Sequence, residues 1–327
     1  MIREIFRDVF LVQPIHAAGV ARLRAAGLGV REASRADMAT VAAEVGAADA
    51  VVTRNAGLNA AAIDAAPRLK LIVVHGVGYD PVDVAHAARR GIVVCNTPVA
   101  NAWSVAEHAI ALLLALAKEA LAADRAVRAG AYDARYTLRL TELRGRTLGI
   151  VGCGRIGRAT ARIARAGLGM RVCGHQPSAD PERLRRLGIE PCASLDDLLE
   201  RSDVVSLHLP LRPETRGLIG RTELGRMKPG AFLINTARGA LVDHAALVDA
   251  LASGRLAGAG LDVFGQEPVP PDDPLLRLPT VVLSPHIAGA SDRAMERTAL
   301  AVASAILATA RGRRPPHVIA GARRGHR

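Results

Sequence analysis

Short apolar runs alternate with helical segments along most of the chain. The runs that predict strands lie at residues 9–12, 50–52, 71–74 and 92–94, and again at 148–151, 171–173, 204–207, 231–234, 259–261 and 281–283. The segments with helical spacing lie at 17–26, 58–65 and 82–90, and again at 182–187, 195–201 and 245–253. Strands that alternate with helices are typical of parallel sheets that helices cover on both faces. The pattern therefore predicts an α/β protein with two doubly wound parallel sheets.

An almost entirely apolar segment, 109–117, separates the two series. Ser104 and Glu107 precede it with the spacing of a capping box, which predicts a helix N-terminus there. Because a helix that is apolar on every side has to be buried, we interpret it as the connection between the sheets, with a partner subunit over any part left exposed. The polar segment 128–144 is predicted to be a surface loop. A final helix at 292–310 can return the chain to the first sheet, which makes the second sheet an insert.

One strand of the second series runs directly into a glycine-spaced turn. Gly152, Gly154 and Gly157 follow the apolar run 148–151 and open a helical segment. Gly152 permits a sharp turn, Gly154 lets a pyrophosphate approach the backbone, and Gly157 lets the helix pack closely on its strand. The free N–H groups and positive dipole end of that helix then face the phosphates. The strand–turn–helix context favours a dinucleotide site over a glycine-rich turn that binds nothing.

Length and composition favour a two-domain globular protein over a membrane or secreted protein. A chain of 327 residues with 50% hydrophobic content is long enough for two cores. It contains no apolar run of about twenty residues, as a membrane span requires, and its first ten residues carry Arg3, Glu4, Arg7 and Asp8 where a secretion signal is apolar. A cytoplasmic location is therefore expected. The four cysteines form no CxxC pair, so neither a metal site nor a disulfide framework is predicted.

The net charge of +12 and an isoelectric point near 10.7 raise the question of nucleic-acid binding. The only lysines are Lys70, Lys118 and Lys228, so the excess charge is arginine scattered over helices, and aromatic residues make up just 2% of the chain. We therefore expect solvated arginine faces and no nucleic-acid partner. The basic C-terminus, residues 319–327, is expected to be a frayed tail.

Polar side chains follow three neighbouring strands of the second series. Arg238 lies after the run 231–234, Asp262 and Glu267 after 259–261, and His286 after 281–283. The carboxyl ends of parallel strands meet at one edge of a sheet, where such folds bind their ligands. An arginine, carboxylates and a histidine in these places favour a catalytic site over ordinary packing.

These motifs together resemble the D-isomer-specific 2-hydroxyacid dehydrogenase family, which includes phosphoglycerate dehydrogenases and glyoxylate/hydroxypyruvate reductases. The matching motifs are those at residues 75–80, 104–108, 152–157, 208–215, 235–239, 260–264 and 285–289. The resemblance implies a flavodoxin-like substrate domain made of residues 1–100 and 288–318, with a Rossmann cofactor domain inserted at 101–287. It also implies a homodimer formed largely through the cofactor domains.

The family's catalytic roles fall on Arg238, Glu267 and His286. The guanidinium of Arg238 is expected to bind the substrate carboxylate and carbonyl, and His286 to exchange a proton with the carbonyl oxygen. Glu267, in contact with His286, is expected to keep the imidazole protonated near neutral pH. The expected reaction interconverts a small 2-oxo acid and its D-2-hydroxy acid.

The cofactor is expected to be NAD or NADP. By resemblance its contacts are Gly152, Gly154, Arg155, Ile156, Gly157, Gln176, His208, Pro210, Thr215, Thr236, Ala237 and Asp262. Gln176 stands where relatives carry the acid that grips the adenosine ribose, so the repulsion of a 2′-phosphate is lost. Arg155, Arg158 or Arg183 could reach such a phosphate, which predicts dual use or a preference for NADP.

The substrate contacts implied by the resemblance are Arg54, His75, Gly76, Val77 and Gly78. Arg54 matches an arginine of phosphoglycerate dehydrogenases, whereas His75 stands where many of them have a second arginine. Hydroxypyruvate or glyoxylate is therefore at least as good a candidate as a phosphorylated substrate. Two alternatives use the same fold: a dinucleotide-sensing co-repressor, and a formate dehydrogenase, which Glu267 disfavours because those enzymes carry an amide there.

Overall fold

The computed structural model describes residues 6–321. These form two compact units: one made of the residues up to Asn101 and from Gly289 onward, and one made of Ala102–Ala288. The chain boundaries lie within two residues of those predicted. The assignment of one unit to the substrate and the other to the cofactor stays a prediction at this stage.

The first unit opens with five strands and four helices in strict alternation. They are β1 Asp8–Leu11, α1 Ala17–Ala25, β2 Gly29–Glu32, α2 Met38–Glu44, β3 Ala50–Thr53, α3 Ala60–Asp64, β4 Leu71–Val74, α4 Val84–Arg89 and β5 Val93–Asn96. All strands pair in parallel, in the order β2-β1-β3-β4-β5, which is the order of flavodoxin-like sheets. Every residue of β3 and β4 is buried, because both faces of these strands lie under helices, and only Thr53 among them is polar.

The second unit begins with two helices and a 3-10 turn. They are α5 Ala102–Ala117, α6 Ala120–Arg128 and Tyr132–Tyr136. An alternating series follows, made of β6 Thr147–Val151, α7 Arg155–Leu168, β7 Arg171–His175, α8 Pro181–Arg186, β8 Glu190–Pro191, α9 Leu195–Arg201, β9 Val204–Leu207, α10 Arg221–Arg226, β10 Ala231–Asn235, α11 His244–Ala252, β11 Leu256–Leu261 and β12 Val281–Leu283. The seven strands pair in parallel in the order β8-β7-β6-β9-β10-β11-β12, as in dinucleotide-binding sheets.

The chain then returns to the first unit through α12 Asp292–Ala310 and β13 Val318–Ala320. Strand β13 pairs antiparallel with β5 and completes a six-stranded sheet. Residues 319–321 of the predicted frayed tail therefore belong to a strand or follow it directly, whereas residues 322–327 lie outside the described residues. The predicted class, two parallel α/β sheets, is confirmed.

Two local predictions need correction. The predicted capping box is wrong, because α5 begins at Ala102 and Ser104 lies inside its first turn. The hydroxyl of Ser104 donates instead to the carbonyl oxygen of Ala288, at 2.7 Å. The predicted surface loop at 128–144 is mostly exposed, but it contains the 3-10 turn Tyr132–Tyr136 and follows α6, a helix without a buried residue. Among residues 6–321, no helix is long and apolar enough to cross a membrane.

Candidate active site

The glycine-spaced turn after β6 can close only because Gly152 and Gly157 lack side chains. Gly152 has φ +97°, and a Cβ there would lie 2.8 Å from the carbonyl oxygen of His208. The N–H of Gly152 donates to the carbonyl of His175 on β7, at 3.0 Å. A Cβ on Gly157 would overlap the carbonyl oxygen of Gly152. The turn is thus locked against both neighbouring strands, and α7 packs closely on it.

The N-terminus of α7 fits a pyrophosphate. Gly154 caps this 14-residue helix without any side-chain hydrogen bond, so no side chain satisfies the first N–H groups, which belong to Arg155, Ile156 and Gly157. Apart from Gly154 and its two chain neighbours, no described residue has an atom within 4 Å of the position a Gly154 Cβ would take, which leaves room for a ligand. The buried Oγ1 of Thr236, a second predicted cofactor contact, has no hydrogen-bond partner among the described residues. Both observations fit a bound dinucleotide.

The loop after β9 carries three more of the predicted cofactor contacts. Thr215 Oγ1 donates to the carbonyl of Pro210 at 2.9 Å and accepts the N–H of Arg212 at 2.8 Å, which holds Pro210 and Thr215 together. The imidazole of His208 lies 3.0 Å from Ser206 Oγ through Nε2, and burial lowers its pKa to about 3. His208 is therefore a neutral hydrogen-bonding group at neutral pH.

The ribose end of the predicted site contains no acid at the end of β7. Gln176 follows that strand, and its Nε2 donates to Ser178 Oγ at 3.1 Å. Arg155, Arg158 and Arg183, which the sequence offers as partners of a 2′-phosphate, make no ion pair within the described part of the chain. Their charges remain available to an anion.

The predicted catalytic residues Arg238, Glu267 and His286 come together at the carboxyl ends of β10, β11 and β12. His286 Nδ1 lies 2.8 Å from Glu267 Oε2, and Glu267 Oε1 accepts the N–H of Phe264 at 3.0 Å. Burial opposes the charge of Glu267, but these two hydrogen bonds and the positive charges of His286 and Arg238 hold its pKa below the ordinary value. The pair is thus arranged as a carboxylate that orients an imidazole.

Arg238 reaches this pair from a turn that Asn235 shapes. The buried amide of Asn235 donates to the carbonyl of Arg238 at 2.8 Å and accepts the N–H of Ala237 at 3.0 Å. A Cβ on Gly239 would overlap the backbone of Phe264, so the Arg238 turn packs directly on the loop that leads to Glu267. Asn235 opens the motif 235–239 singled out in the sequence, but its role in shaping the turn was not predicted, although an asparagine at a strand end before a turn is a recognisable signal.

Asp262 anchors the His286 loop. Its fully buried carboxylate accepts the hydroxyl of Ser284 at 2.6 Å and the N–H groups of Ile287 at 2.9 Å and Ala288 at 2.8 Å. The backbone N–H of His286 donates to the carbonyl of Asp262, also at 2.8 Å. These bonds occupy both carboxylate oxygens, so the structure gives Asp262 a role within the protein, and its contact with a nicotinamide amide stays a prediction.

The predicted substrate residues lie in the first unit, at the ends of β3 and β4. Arg54 is half-buried, donates to the carbonyl of Pro14 at 3.0 Å, and has no acidic partner among the described residues. Burial lowers its pKa. His75 is only 8% exposed, and its Nε2 has no hydrogen-bond partner within residues 6–321. Burial and the charge of Arg54 lower the pKa of His75 to about 4, so the imidazole is neutral at neutral pH.

Asn96, the last residue of β5, and Thr97, which follows it, fix the loop that holds Gly76, Val77 and Gly78. The N–H of Gly76 donates to Thr97 Oγ1 at 2.8 Å, and Asn96 Nδ2 donates to the carbonyl of Val77 at 2.7 Å. The sequence analysis did not propose Asn96 or Thr97 as part of the site. No group of three or more His, Cys, Asp and Glu side chains within the described residues is placed to hold a metal ion.

Comparisons with known proteins agree with this geometry. The sequence profile described as "D-isomer specific 2-hydroxyacid dehydrogenase, NAD binding domain" matches residues 110–288. A glyoxylate reductase of Korarchaeum cryptofilum is 47% identical over 265 residues, which are 80% of this chain and 79% of that protein. A D-3-phosphoglycerate dehydrogenase of Mycobacterium bovis is 44% identical over 278 residues, which are 85% of this chain but only 52% of that protein.

A solved structure extends the similarity to the whole fold. The NADPH-dependent glyoxylate/hydroxypyruvate reductase of Sinorhizobium meliloti, in complex with NADP and malonate, superposes with a TM-score of 0.86 at 34% identity. The match covers 98% of this chain and 99% of that one. The co-repressor alternative finds no support among these relatives. The chain belongs to the D-isomer-specific 2-hydroxyacid dehydrogenase family and is an NAD(P)-dependent 2-hydroxyacid dehydrogenase.

Proposed function

We propose that this enzyme reduces a small 2-oxo acid to its D-2-hydroxy acid, with His286 as the proton donor and Arg238 as the group that binds the substrate carboxylate. The observation that carries the proposal is the 2.8 Å contact between His286 and Glu267, in a cluster with Arg238. When bound, NAD(P)H supplies the hydride. The chain's own residues have to bind the acid, orient its carbonyl and provide a proton.

Each residue of the cluster suits one of these tasks. The planar guanidinium of Arg238 can bind a carboxylate through two parallel hydrogen bonds, which fixes the position of the adjoining carbonyl. Glu267 accepts from His286 Nδ1, so Nε2 remains free to give its proton to the carbonyl oxygen. The negative charge of Glu267 stabilises the protonated imidazole before transfer and orients it throughout. The reverse reaction uses the same imidazole as a base.

The substrate we favour is an unphosphorylated 2-oxo acid such as glyoxylate or hydroxypyruvate. A phosphate carries close to two negative charges at neutral pH and binds best to clustered cations. Among the predicted substrate residues, Arg54 offers one positive charge, whereas His75 is neutral because its pKa is about 4. The relative in Korarchaeum cryptofilum is named a glyoxylate reductase, which agrees with this choice.

For the cofactor, we favour NADP(H) or the use of both nucleotides. Nothing at Gln176 repels a 2′-phosphate, and three arginines of the same unit lack acidic partners among the described residues. The NADPH-dependent relative from Sinorhizobium meliloti was solved with NADP bound. Both observations support the use of NADP(H), which the glycine turn alone does not distinguish from NAD(H).

We further propose that two copies associate through the exposed apolar side chains of α5, α6 and the 3-10 turn that follows. Tyr132 and Tyr136 are 64% and 74% exposed, and α6 buries no residue within its own chain. Exposed apolar patches of this kind mark interaction surfaces.

Sedimentation velocity of the wild type and of Tyr136→Arg tests this association. We expect the wild type to be a dimer and the variant to be a monomer. A monomeric wild type would contradict it. The cytoplasmic location stays a prediction.

A steady-state assay tests the main proposal. Glyoxylate, hydroxypyruvate and phosphohydroxypyruvate are each supplied with NADH and with NADPH, and the ratio kcat/KM is compared. We expect turnover of the two unphosphorylated acids with kcat/KM at least about tenfold above that of the phosphorylated acid. Arg238→Ala should abolish turnover while NADPH still binds, as measured by fluorescence titration.

Three outcomes would overturn parts of the proposal. Full activity of Arg238→Ala, or no turnover of any 2-oxo acid by the wild type, refutes the reaction and its assigned residues. A preference for the phosphorylated acid refutes the substrate assignment alone. A preference for NADH of about a thousandfold refutes only the cofactor preference.

A further inference from the structure

The motif Ser104–His108 has no part in the reaction proposed above, yet two of its side chains contact the His286 loop. Ser104 and His108 stand one turn apart on α5 and therefore lie on the same face of that helix. Ser104 Oγ donates to the carbonyl of Ala288 at 2.7 Å. His108 Nε2 lies 2.8 Å from Ser284 Oγ and 3.5 Å from Asp262 Oδ1. One face of α5 thus holds both ends of the segment 284–288.

The same segment is bound from the other side by Asp262. Its carboxylate binds the hydroxyl of Ser284 and the backbone N–H groups of Ile287 and Ala288, so His286 lies between anchored neighbours. Burial opposes ionisation of Asp262, but hydrogen bonds from His108, Ser284 and the two amides hold its pKa below the ordinary value. A buried carboxylate is stable only when its oxygens are satisfied in this way.

The backbone of His286 shows why this segment needs such support. Its φ is +55°, in the left-handed region that residues other than glycine rarely adopt. A strained residue keeps this conformation only where surrounding bonds determine it. If the loop relaxed, the imidazole would change direction and its 2.8 Å contact with Glu267 would be lost.

We infer that Asp262, Ser284 and His108 form a positioning chain that holds His286 in its reactive conformation, and that Asp262 serves the reaction through this loop. The inference rests on the proposed role of His286. None of the three residues transfers a proton to substrate. They fix the backbone from which the catalytic imidazole projects, and α5 supplies the outer end of the chain.

Paired variants test the inference by kinetics. Ser284→Ala removes the hydroxyl between His108 and Asp262, whereas Ser284→Thr keeps it, and His108→Leu removes the outer partner. We expect Ser284→Ala and His108→Leu to lower kcat about tenfold, since each loses the equivalent of one hydrogen bond, with KM for the oxo acid and Kd for NADPH within about twofold of wild type. Ser284→Thr should restore most of kcat. Glu107→Ala, at an exposed position beside His108, is the matched control and should be unchanged.

A second measurement does not depend on turnover. The Nδ1–H proton of His286 is observed by NMR and assigned by its absence in His286→Asn. In Ser284→Ala its chemical shift should move toward the value measured in Glu267→Gln, because the loosened loop weakens the hydrogen bond to Glu267. A general loss of stability would not produce this shift in the folded protein.

The outcomes separate the inference from the proposed function. Unchanged kcat and an unchanged chemical shift of the His286 Nδ1–H proton in both Ser284→Ala and His108→Leu refute the positioning chain. A tenfold weaker Kd for NADPH with unchanged kcat also refutes it and assigns Asp262 to the cofactor. If the wild type shows no turnover but this chemical shift still changes in Ser284→Ala, the proposed reaction is refuted and the positioning chain is supported.

Discussion

The side chains proposed for catalysis and those proposed to bind the substrate differ in how far they are already bonded within the protein. In the second unit, Glu267, His286 and Asp262 are bound to one another or to backbone groups at 2.6–3.0 Å. In the first unit, Arg54 has no acidic partner and His75 Nε2 has no hydrogen-bond partner among the described residues. Both sets follow parallel strands of a helix-covered sheet, so the fold alone does not produce the difference.

The difference fits the roles proposed for the two sets, proton transfer for one and substrate binding for the other. A proton donor has to keep one direction, which requires partners on its other atoms. A binding group has donors or acceptors that only the ligand satisfies. In the protein without ligand, such a buried, unpaired group is destabilising. The bonds of Glu267, His286 and Asp262, and the lack within residues 6–321 of an acidic partner for Arg54 and of a hydrogen-bond partner for His75 Nε2, therefore fit the proposed division into chemistry and binding.

The largest effect is expected where the paired group is itself removed. His286→Asn should lower kcat about 10³-fold, within the range that general acid catalysis contributes, and leave Kd for NADPH within about twofold. Stopped-flow and steady-state assays with glyoxylate measure this. His244→Asn, a partly exposed histidine of the same unit, is the control and should keep wild-type kcat. If His286→Asn and His244→Asn had comparable kcat values, the proposed role of His286 would be wrong.

The burial of His75 should make the free energy of unfolding depend on pH. The pKa of His75 is about 4 in the folded protein and about 6.5 when unfolded, so below pH 6.5 only the unfolded state takes up the proton. Stability is complete above pH 6.5 and falls as the pH drops toward 4. The shift corresponds to roughly 3 kcal/mol from this residue.

Urea unfolding of the wild type and of His75→Asn, at pH 7 and pH 4, isolates this contribution. The difference between the two proteins cancels every other titrating group, including His208, whose pKa is also lowered. The variant should lose less stability than the wild type on acidification. Parallel losses would show that His75 is not held neutral by burial.

A smaller effect is expected from the guanidinium of Arg54, which has no acidic partner among the described residues. Arg54→Gln should raise KM for glyoxylate about tenfold with little change in kcat, because it removes a charged hydrogen bond to substrate and no reacting group. The same variant should unfold at an equal or higher urea concentration, since it removes a half-buried charge without an acidic partner. Arg24→Gln, an exposed arginine on α1, serves as the control. An unchanged KM would remove Arg54 from the site.

Most of the framework could be predicted from the sequence because buried parallel strands are continuous apolar runs. The runs at 71–74 and 204–207 coincide with β4 and β9, and the last helix was predicted at its observed bounds. Strand β2 and helix α2 were missed, since β2 is largely exposed and α2 buries just one residue. Periodicity reports burial, so elements with little buried surface leave no signal.

The site was predicted residue by residue, but its supporting contacts were not. Ser104 fits a capping box by spacing, and only the fold shows that its hydroxyl serves Ala288, far along the chain. The carboxylate of Asp262 looks available in the sequence, whereas in the structure three groups of the His286 loop occupy it. Hydrogen bonds between distant segments depend on where strands end in space, and local patterns do not record this.

The left-handed backbone of His286 implies a trade-off between activity and folding. A residue other than glycine at φ +55° costs on the order of 1–2 kcal/mol. His286→Gly would recover part of that energy while removing the proposed proton donor. At this position the proposed chemistry therefore costs the folded protein stability.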